Sequence, residues 1–397
     1  MRSFVLVWLL AAGAAGCGWR TTHLTTGSHS QVKAGSSEVA SEFGIGAPLS
    51  FRFAAASNSH LLGLGGPESN VSGRVTERST GELVNLADGT TRVLDTPATS
   101  DGRLEVLGSV GRSDDFVVIG ASCVSLTSSE DEGCDGSHDP HAYSLGDDGS
   151  WSEIDLPEVD ARQALGSVSF MHASGDYVVA VLRFVGPNER PVDRVVSIEG
   201  SRARDLGQIE GQPQDACTTD DAAYLLTRTT DQADILASRT SWLLTEFPRD
   251  GHPATSIELP RLSSLYGGAG VQFGCLPSGP LVASTDPGYR GFVVRLNDRK
   301  WNQVDIDMAG AGTTVISAIE SGSEGAVLAV TTLPKGTAPN TTTFVAVDSG
   351  GRVRALDAAN ITGRTLLWAG SSGNLLALGA PTDDSTPLSL DLIEVWK

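Results

Sequence analysis

The chain has 397 residues, of which 40% are hydrophobic and 46 are glycine, and its formal net charge is −20. That apolar share supports a folded core rather than disorder. The negative charge, with no Lys/Arg cluster to offset it locally, excludes a nucleic-acid partner and disfavours contact between the folded part and anionic lipid. Past residue 20 no long stretch has helical i, i+3, i+4, i+7 spacing, while many glycines stand beside Asp, Ser or Asn, so the expected elements are strands joined by turns.

The start, "MRSFVLVWLLAAGAAGCGWR", has a basic residue at Arg2, an apolar run from Phe4 to about Gly13, and then small residues. The run is too short to span a bilayer and fits a signal peptide over residues 1–16. Ala14-Ala15-Gly16-Cys17 resembles the bacterial lipobox. The resemblance implies lipidation of Cys17, a membrane contact made only through that N-terminal anchor, and a place in the bacterial cell envelope. Ordinary cleavage after an Ala-x-Ala-type site, with Cys17 incidental, is the alternative. Residues 17–38 are rich in Ser, Thr and Gly, as a flexible tether is.

From there a hairpin recurs. "SLGDDGSWSEIDLP" (144–157) has two apolar-patterned arms around Asp147-Asp148-Gly149, residue types that tolerate the positive φ of a tight two-strand turn. Equivalent turns fall at Gly89, Gly200, Gly251, Asp298 and Gly350, and a truncated copy ends the chain at 388–397. A second hairpin precedes each, with turns such as Ser113-Asp114-Asp115, Ser174-Gly175-Asp176 and Thr219-Asp220-Asp221. An apolar strand follows each of those turns, among them "FVVIGAS", "YVVAVLR" and "AAYLLTR". A near-continuous apolar strand with a small residue midway implies burial on both faces.

Each unit is therefore four antiparallel strands in roughly fifty residues, and stacked neighbours must cover its faces. In period and turn grammar residues 39–397 resemble a seven-bladed β-propeller, all-β throughout. The last unit lacks a fourth strand, and the segment around Ser37–Phe43 could supply it.

Without Cys17 four cysteines remain, which permits two disulfides in three connectivities. Cys123 and Cys134 flank one loop, and the pair would staple it. Cys217 and Cys275 each lie four residues before the aligned turn, on neighbouring innermost strands. A staple between blades needs Cα atoms within about 7 Å, and two buried free thiols are the alternative.

Long connections at 67–80, 123–141, 185–192 and 229–240 gather on one face of the disc, where a site is expected. Arg183, Arg228 and Asp286 share a register at that face, with Tyr289 and Arg290 nearby. They form either a charged arc for an anionic or sugar ligand or a set of inter-blade salt bridges. The loop "SCVSLTSSEDEGCDGSHDPHAY" (122–143) is either a solvated acidic loop or a metal site, with Ca²⁺ on its acidic oxygens or a transition metal on His138, Asp139 and His141. Its spacing matches no EF-hand or zinc pattern, so no cofactor is expected. No G-x-S-x-G elbow and no phosphate-cradling glycine motif occurs. The preferred expectation is an anchored scaffold that binds a protein or glycan partner. The alternative is an extracellular hydrolase or lyase acting on polysaccharide at the channel mouth.

Overall fold

The computed structural model describes residues 21–23, 53–64, 80–87, 90–99, 102–123, 138–158, 164–186, 191–209, 211–230, 240–259, 271–285, 291–297, 300–305, 313–322, 325–333, 341–355, 365–368, 374–379 and 389–394. These residues form seven antiparallel sheets, six of four strands and one of five. Blade 1 is Phe53–Ala56, His60–Leu64, Thr80–Asn85 and Thr91–Asp95. Blade 2 is Gly102–Gly111, Asp115–Cys123, His138–Gly146 and Trp151–Ile154, with the short Ala98–Thr99 beside its first strand. Blade 3 is Ala164–Ser174, Tyr177–Val185, Val192–Glu199 and Arg202–Gln208. Blade 4 is Gln212–Thr218, Ala222–Thr230, Thr240–Pro248 and Thr255–Glu258. Blade 5 is Gln272–Leu276, Gly279–Thr285, Gly291–Asn297 and Lys300–Asp305. Blade 6 is Thr313–Gly322, Gly325–Leu333, Thr341–Asp348 and Val353–Ala355.

Blade 7 is Thr365–Trp368, Asn374–Gly379 and Ser389–Glu394, and its fourth strand is Thr21–His23, with Thr22 opposite Leu392. The N-terminal part of the chain closes the ring, as the missing strand requires. The closing residues described come from the expected tether, and Ser37–Phe43 lies outside the described residues. First strands of neighbouring blades touch at every junction, including blade 7 with blade 1. The fold is a closed seven-bladed β-propeller with the first strands innermost.

The core lies between blades. In the second strand of blade 3 the period-2 alternation divides the side chains between two interfaces. Val178, Ala180, Leu182 and Phe184 pack with Val117, Ile119 and Ile154 of blade 2. Tyr177, Val179 and Val181 pack with Ala216, Leu225 and Phe247 of blade 4. Corresponding clusters fill the interfaces 1/2, 4/5 and 5/6. Blades approach closely where the ring is tightest: a Cβ on Gly111 would meet the Ala56 carbonyl oxygen at 1.8 Å, so only glycine fits there.

Polar locks at the short-turn face complete four interfaces. The turn at Gly149, with φ of 75°, closes through its N–H to the Gly146 carbonyl at 2.8 Å. Arg92 of blade 1 lies over this turn and donates to the Asp148 carbonyl. Arg112 of blade 2 donates to the Gly200 carbonyl of blade 3 at 3.3 Å, Arg204 of blade 3 to Gly251 of blade 4 at 3.5 Å, and Arg295 of blade 5 to Ser349 of blade 6 at 3.1 Å. In each lock an arginine of one blade caps the outer turn of the next.

Cys217 and Cys275 are bonded, with Cα atoms 5.6 Å apart, and staple blades 4 and 5 at their innermost strands. Cross-linking residues 58 apart constrains the unfolded chain by about 4 kcal/mol in the loop-entropy model. The double variant Cys217→Ala/Cys275→Ala is expected to lose most of this in urea denaturation, and its midpoint should respond less to dithiothreitol than that of the unmodified chain. An unchanged midpoint would mean that the staple contributes nothing.

Candidate functional site

Arg183 stands in register opposite Asp193 on the neighbouring strand of its own blade. Its Nε and Nη2 donate to the two Asp193 carboxylate oxygens, each at 2.9 Å. Asp193 is buried, and this bidentate bond raises the Arg183 pKa further. The fork is thus committed to a partner within one blade, whereas the salt-bridge expectation placed that partner across blades. Arg228 lies exposed at the same height of blade 4, opposite Trp242. Asp286, Tyr289 and Arg290 lie outside the described residues.

His138 and Asp139 open the third strand of blade 2, where Asp139 is exposed. His141 stacks on Tyr143 with ring centroids 6.3 Å apart, and its Nδ1 lies 3.8 Å from Glu153. Cys123 ends the second strand of that blade, while Cys134 and the acidic run of the loop lie outside the described residues. Among the described residues no group of three His, Cys, Asp or Glu side chains is placed to hold a metal ion.

The structure also assembles two polar clusters that sequence reasoning did not reach. The first lies at the ring centre. The Thr218 N–H of blade 4 donates to His172 Nδ1 at 3.2 Å, so the ring proton sits on Nε2, which donates to Ser321 Oγ of blade 6 at 3.1 Å. Ser321 Oγ also accepts the Cys275 N–H of blade 5 at 3.2 Å. Blades 3 and 6 are not neighbours, so the His172–Ser321 bond crosses the channel near its short-turn end. Burial lowers the His172 pKa to about 4, which keeps the imidazole neutral as this network requires. Immediately before Ser321 in the chain, the Glu320 carboxyl is pushed up to about 8 by burial and then by the negative charge of Asp215 on blade 4. The sequence signal was the shared position of His172, Thr218 and Ser321 within two residues of their strand ends.

The second cluster is a recess of about 310 Å³ between blades 4 and 5, open at the short-turn face. One wall is a cross-strand row of blade 4, Tyr224, Glu246 and Thr255, each opposite the next in register. The other wall is Ser278, Gly279, Pro280 and Leu296 of blade 5. Tyr224 Oη donates to Glu246 Oε1 at 3.5 Å, and Thr255 Oγ1 donates to Oε2 at 3.2 Å. Burial and the Glu246 charge push the Tyr224 phenol up to about 12, so it stays protonated and remains a donor.

No protein-family model and no curated protein matches the chain. Its fold resembles that of the polysaccharide lyase Uly1, with 8% identity over 88% of this chain and 92% of that one and a TM-score of 0.53. The likeness to an oligogalacturonate lyase from Vibrio parahaemolyticus has a TM-score of 0.46 at 11% identity, covering 87% and 89% of the two chains. The β-propeller domain of the Trilobed protease from Pyrococcus furiosus gives 0.48 at 8% identity, covering 87% and 95%. At such identities the likeness shows the β-propeller fold alone.

The two shifted groups at the centre act on opposite sides of neutrality. Glu320 binds its proton more tightly folded than unfolded, so its contribution is complete below about 4.5 and is lost as pH rises through about 8. His172 binds its proton less tightly folded, so its contribution is complete above about 6.5 and is lost as pH falls towards 4. Thermal unfolding followed from pH 6.5 to 8.5 should show a falling midpoint, worth on the order of a few kcal/mol. Glu82, which burial raises to about 7, shares the lower part of that limb, so Glu320→Gln should flatten it above about pH 7.5 and leave the acid limb intact. An identical pH profile in this variant would remove Glu320 as the cause.

Proposed function

We propose that the chain is a bacterial envelope lipoprotein, anchored through lipidated Cys17, whose propeller binds a protein or glycan partner. The observation that carries the binding reading is the recess between blades 4 and 5. It is preformed, opens to solvent, and is walled by a tyrosine, a carboxylate and hydroxyls on two blades that a disulfide holds together. Small sites of this kind bind by placing a few polar groups on a rigid frame. The anchor rests on the sequence alone, on the apolar run and the lipobox-like Ala14-Ala15-Gly16-Cys17.

A second reading, action on polysaccharide from the channel, is favoured by Glu320 and Asp215. An environment that holds one carboxyl protonated beside a second, negatively charged carboxylate separates an acid from a base.

The two readings part in one set of measurements on the full chain. Binding predicts capture of a defined envelope protein or glycan and no turnover of a polysaccharide panel, monitored by reducing ends and by absorbance of unsaturated products. Saturable turnover that falls at least a hundredfold in Glu320→Gln would replace it with the enzymatic reading. Cys17→Ser should move the protein from the membrane to the soluble fraction, and retention in the membrane would refute the anchor.

A further inference from the structure

We infer that the recess between blades 4 and 5 receives an arginine side chain from a protein partner. The inference deepens the protein-binding arm of the proposed function and rests on it. Its ground is a comparison among the ring's own interfaces. A row runs outward through the third residue of each second strand. In blade 1 it reads Leu62, Leu83, Arg92; in blade 3, Val179, Ser197, Arg204; in blade 5, Leu281, Arg295, Asn302. In all three the row supplies the arginine that lies over the outer turn of the next blade. At the interface between blades 2 and 3 Arg112 makes the same connection from the neighbouring inner turn.

Blade 4 carries Tyr224, Glu246 and Thr255 in this row. Thr255 occupies the place of Arg92 and Arg204, and a carboxylate stands beside it. Among the described residues the interface has no guanidinium there and has the recess instead. Glu246 is held by two neutral hydroxyls, with no cation against it among the described residues. Arg249, three residues on from Glu246, is turned to Glu199 of blade 3 at 2.8 Å and lies over the Tyr177 ring. A half-buried carboxylate with that surrounding attracts a cation that can donate several hydrogen bonds, and guanidinium matches a carboxylate with two parallel ones. About 310 Å³ is at the small end of ligand pockets and suits one long side chain rather than a run of sugar rings. The net charge of −20 draws a basic partner towards the same surface.

The test titrates the full chain by calorimetry with N-acetyl-arginine amide, and in parallel with N-acetyl-citrulline amide, N-acetyl-lysine amide and glucosamine. A lone side chain binds weakly, so concentrations reach about 20 mM. The arginine amide should bind saturably and the uncharged citrulline amide at least tenfold more weakly. Glu246→Gln, whose amide can accept from one hydroxyl through its oxygen and donate to the other through its nitrogen and so preserve the fold, should weaken arginine binding at least tenfold. Thr255→Arg should fill the recess from within, abolish binding and raise the melting midpoint. Equal binding of citrulline, indifference to Glu246→Gln, or no arginine binding at all would overturn the inference. Glucosamine binding through Glu246 in preference to arginine would overturn it in favour of an amino sugar. If the arginine amide fails while a defined protein partner is still captured, the recess is wrong and the binding reading survives. Capture of neither protein nor glycan ends both.

Discussion

A sheet whose second strand is apolar on both faces has no side to turn to water, and everything else in this molecule follows from that. The run from Tyr177 to Phe184 is buried almost throughout. Alternate residues go to blade 2 and to blade 4, so neither half of the strand is shielded unless both neighbours are present. At roughly 1.5–3 kcal/mol for each large side chain, losing one neighbour would expose more apolar surface than a single blade could tolerate. Closing the ring is the arrangement that leaves no blade with a bare face, and it explains why a three-residue strand from the N-terminal part of the chain completes blade 7.

The ring then sets where polar chemistry can sit. Toward the axis the blades crowd, and the polar groups found there are paired across blades: His172 with Thr218 and Ser321, Ser321 with the Cys275 backbone. Such a network is satisfied and rigid, and it brings together blades that the apolar packing joins only through their neighbours. Toward the turns the blades splay, and long side chains span the widening gap. Arginine suits that position, since its stem covers apolar surface while its guanidinium reaches a carbonyl on the next blade.

The repeat, the turns and the both-face burial of the second strand were legible because each leaves a local mark. Asp147-Asp148-Gly149 and Ser174-Gly175-Asp176 are turns by residue type, and the runs between them alternate with period 2. The Cys217–Cys275 staple was legible as one option, because equal distance from an aligned turn means equal height on neighbouring inner strands. Thr21–His23 was not, since three residues without apolar patterning carry no strand signal. The first strands also hold register shifts, between Val106 and Gly108, Pro213 and Asp215, and Ile316 and Ala318, which defeat counting along a strand from its far end. The central cluster escaped because its members are 46 and 149 residues apart and meet only when the ring exists. Arg183 looked available because its partner Asp193 lies beyond a connection of unfixed length, and one residue of slip would have turned Asp193 to the other face.

Glu246 shows how a repeat protein can open a recess between blades by leaving something out. Where Arg92, Arg204 and Arg295 stand, a long cation crosses to the next blade and the interface is closed. Glutamate is too short to cross, and Tyr224 and Thr255 hold its carboxylate against blade 4. The inner ends of blades 4 and 5 are bonded through Cys217 and Cys275, so the gap cannot collapse by tilting one blade onto the other at the axis. A structural position has become an open one through a change of charge and length within a single row, while the apolar core beneath it, Tyr224 with Phe273 and Val282, stays intact. The covalent staple lies at one of the interfaces where no arginine lock is found among the described residues, and it fastens blades 4 and 5 at the axis instead.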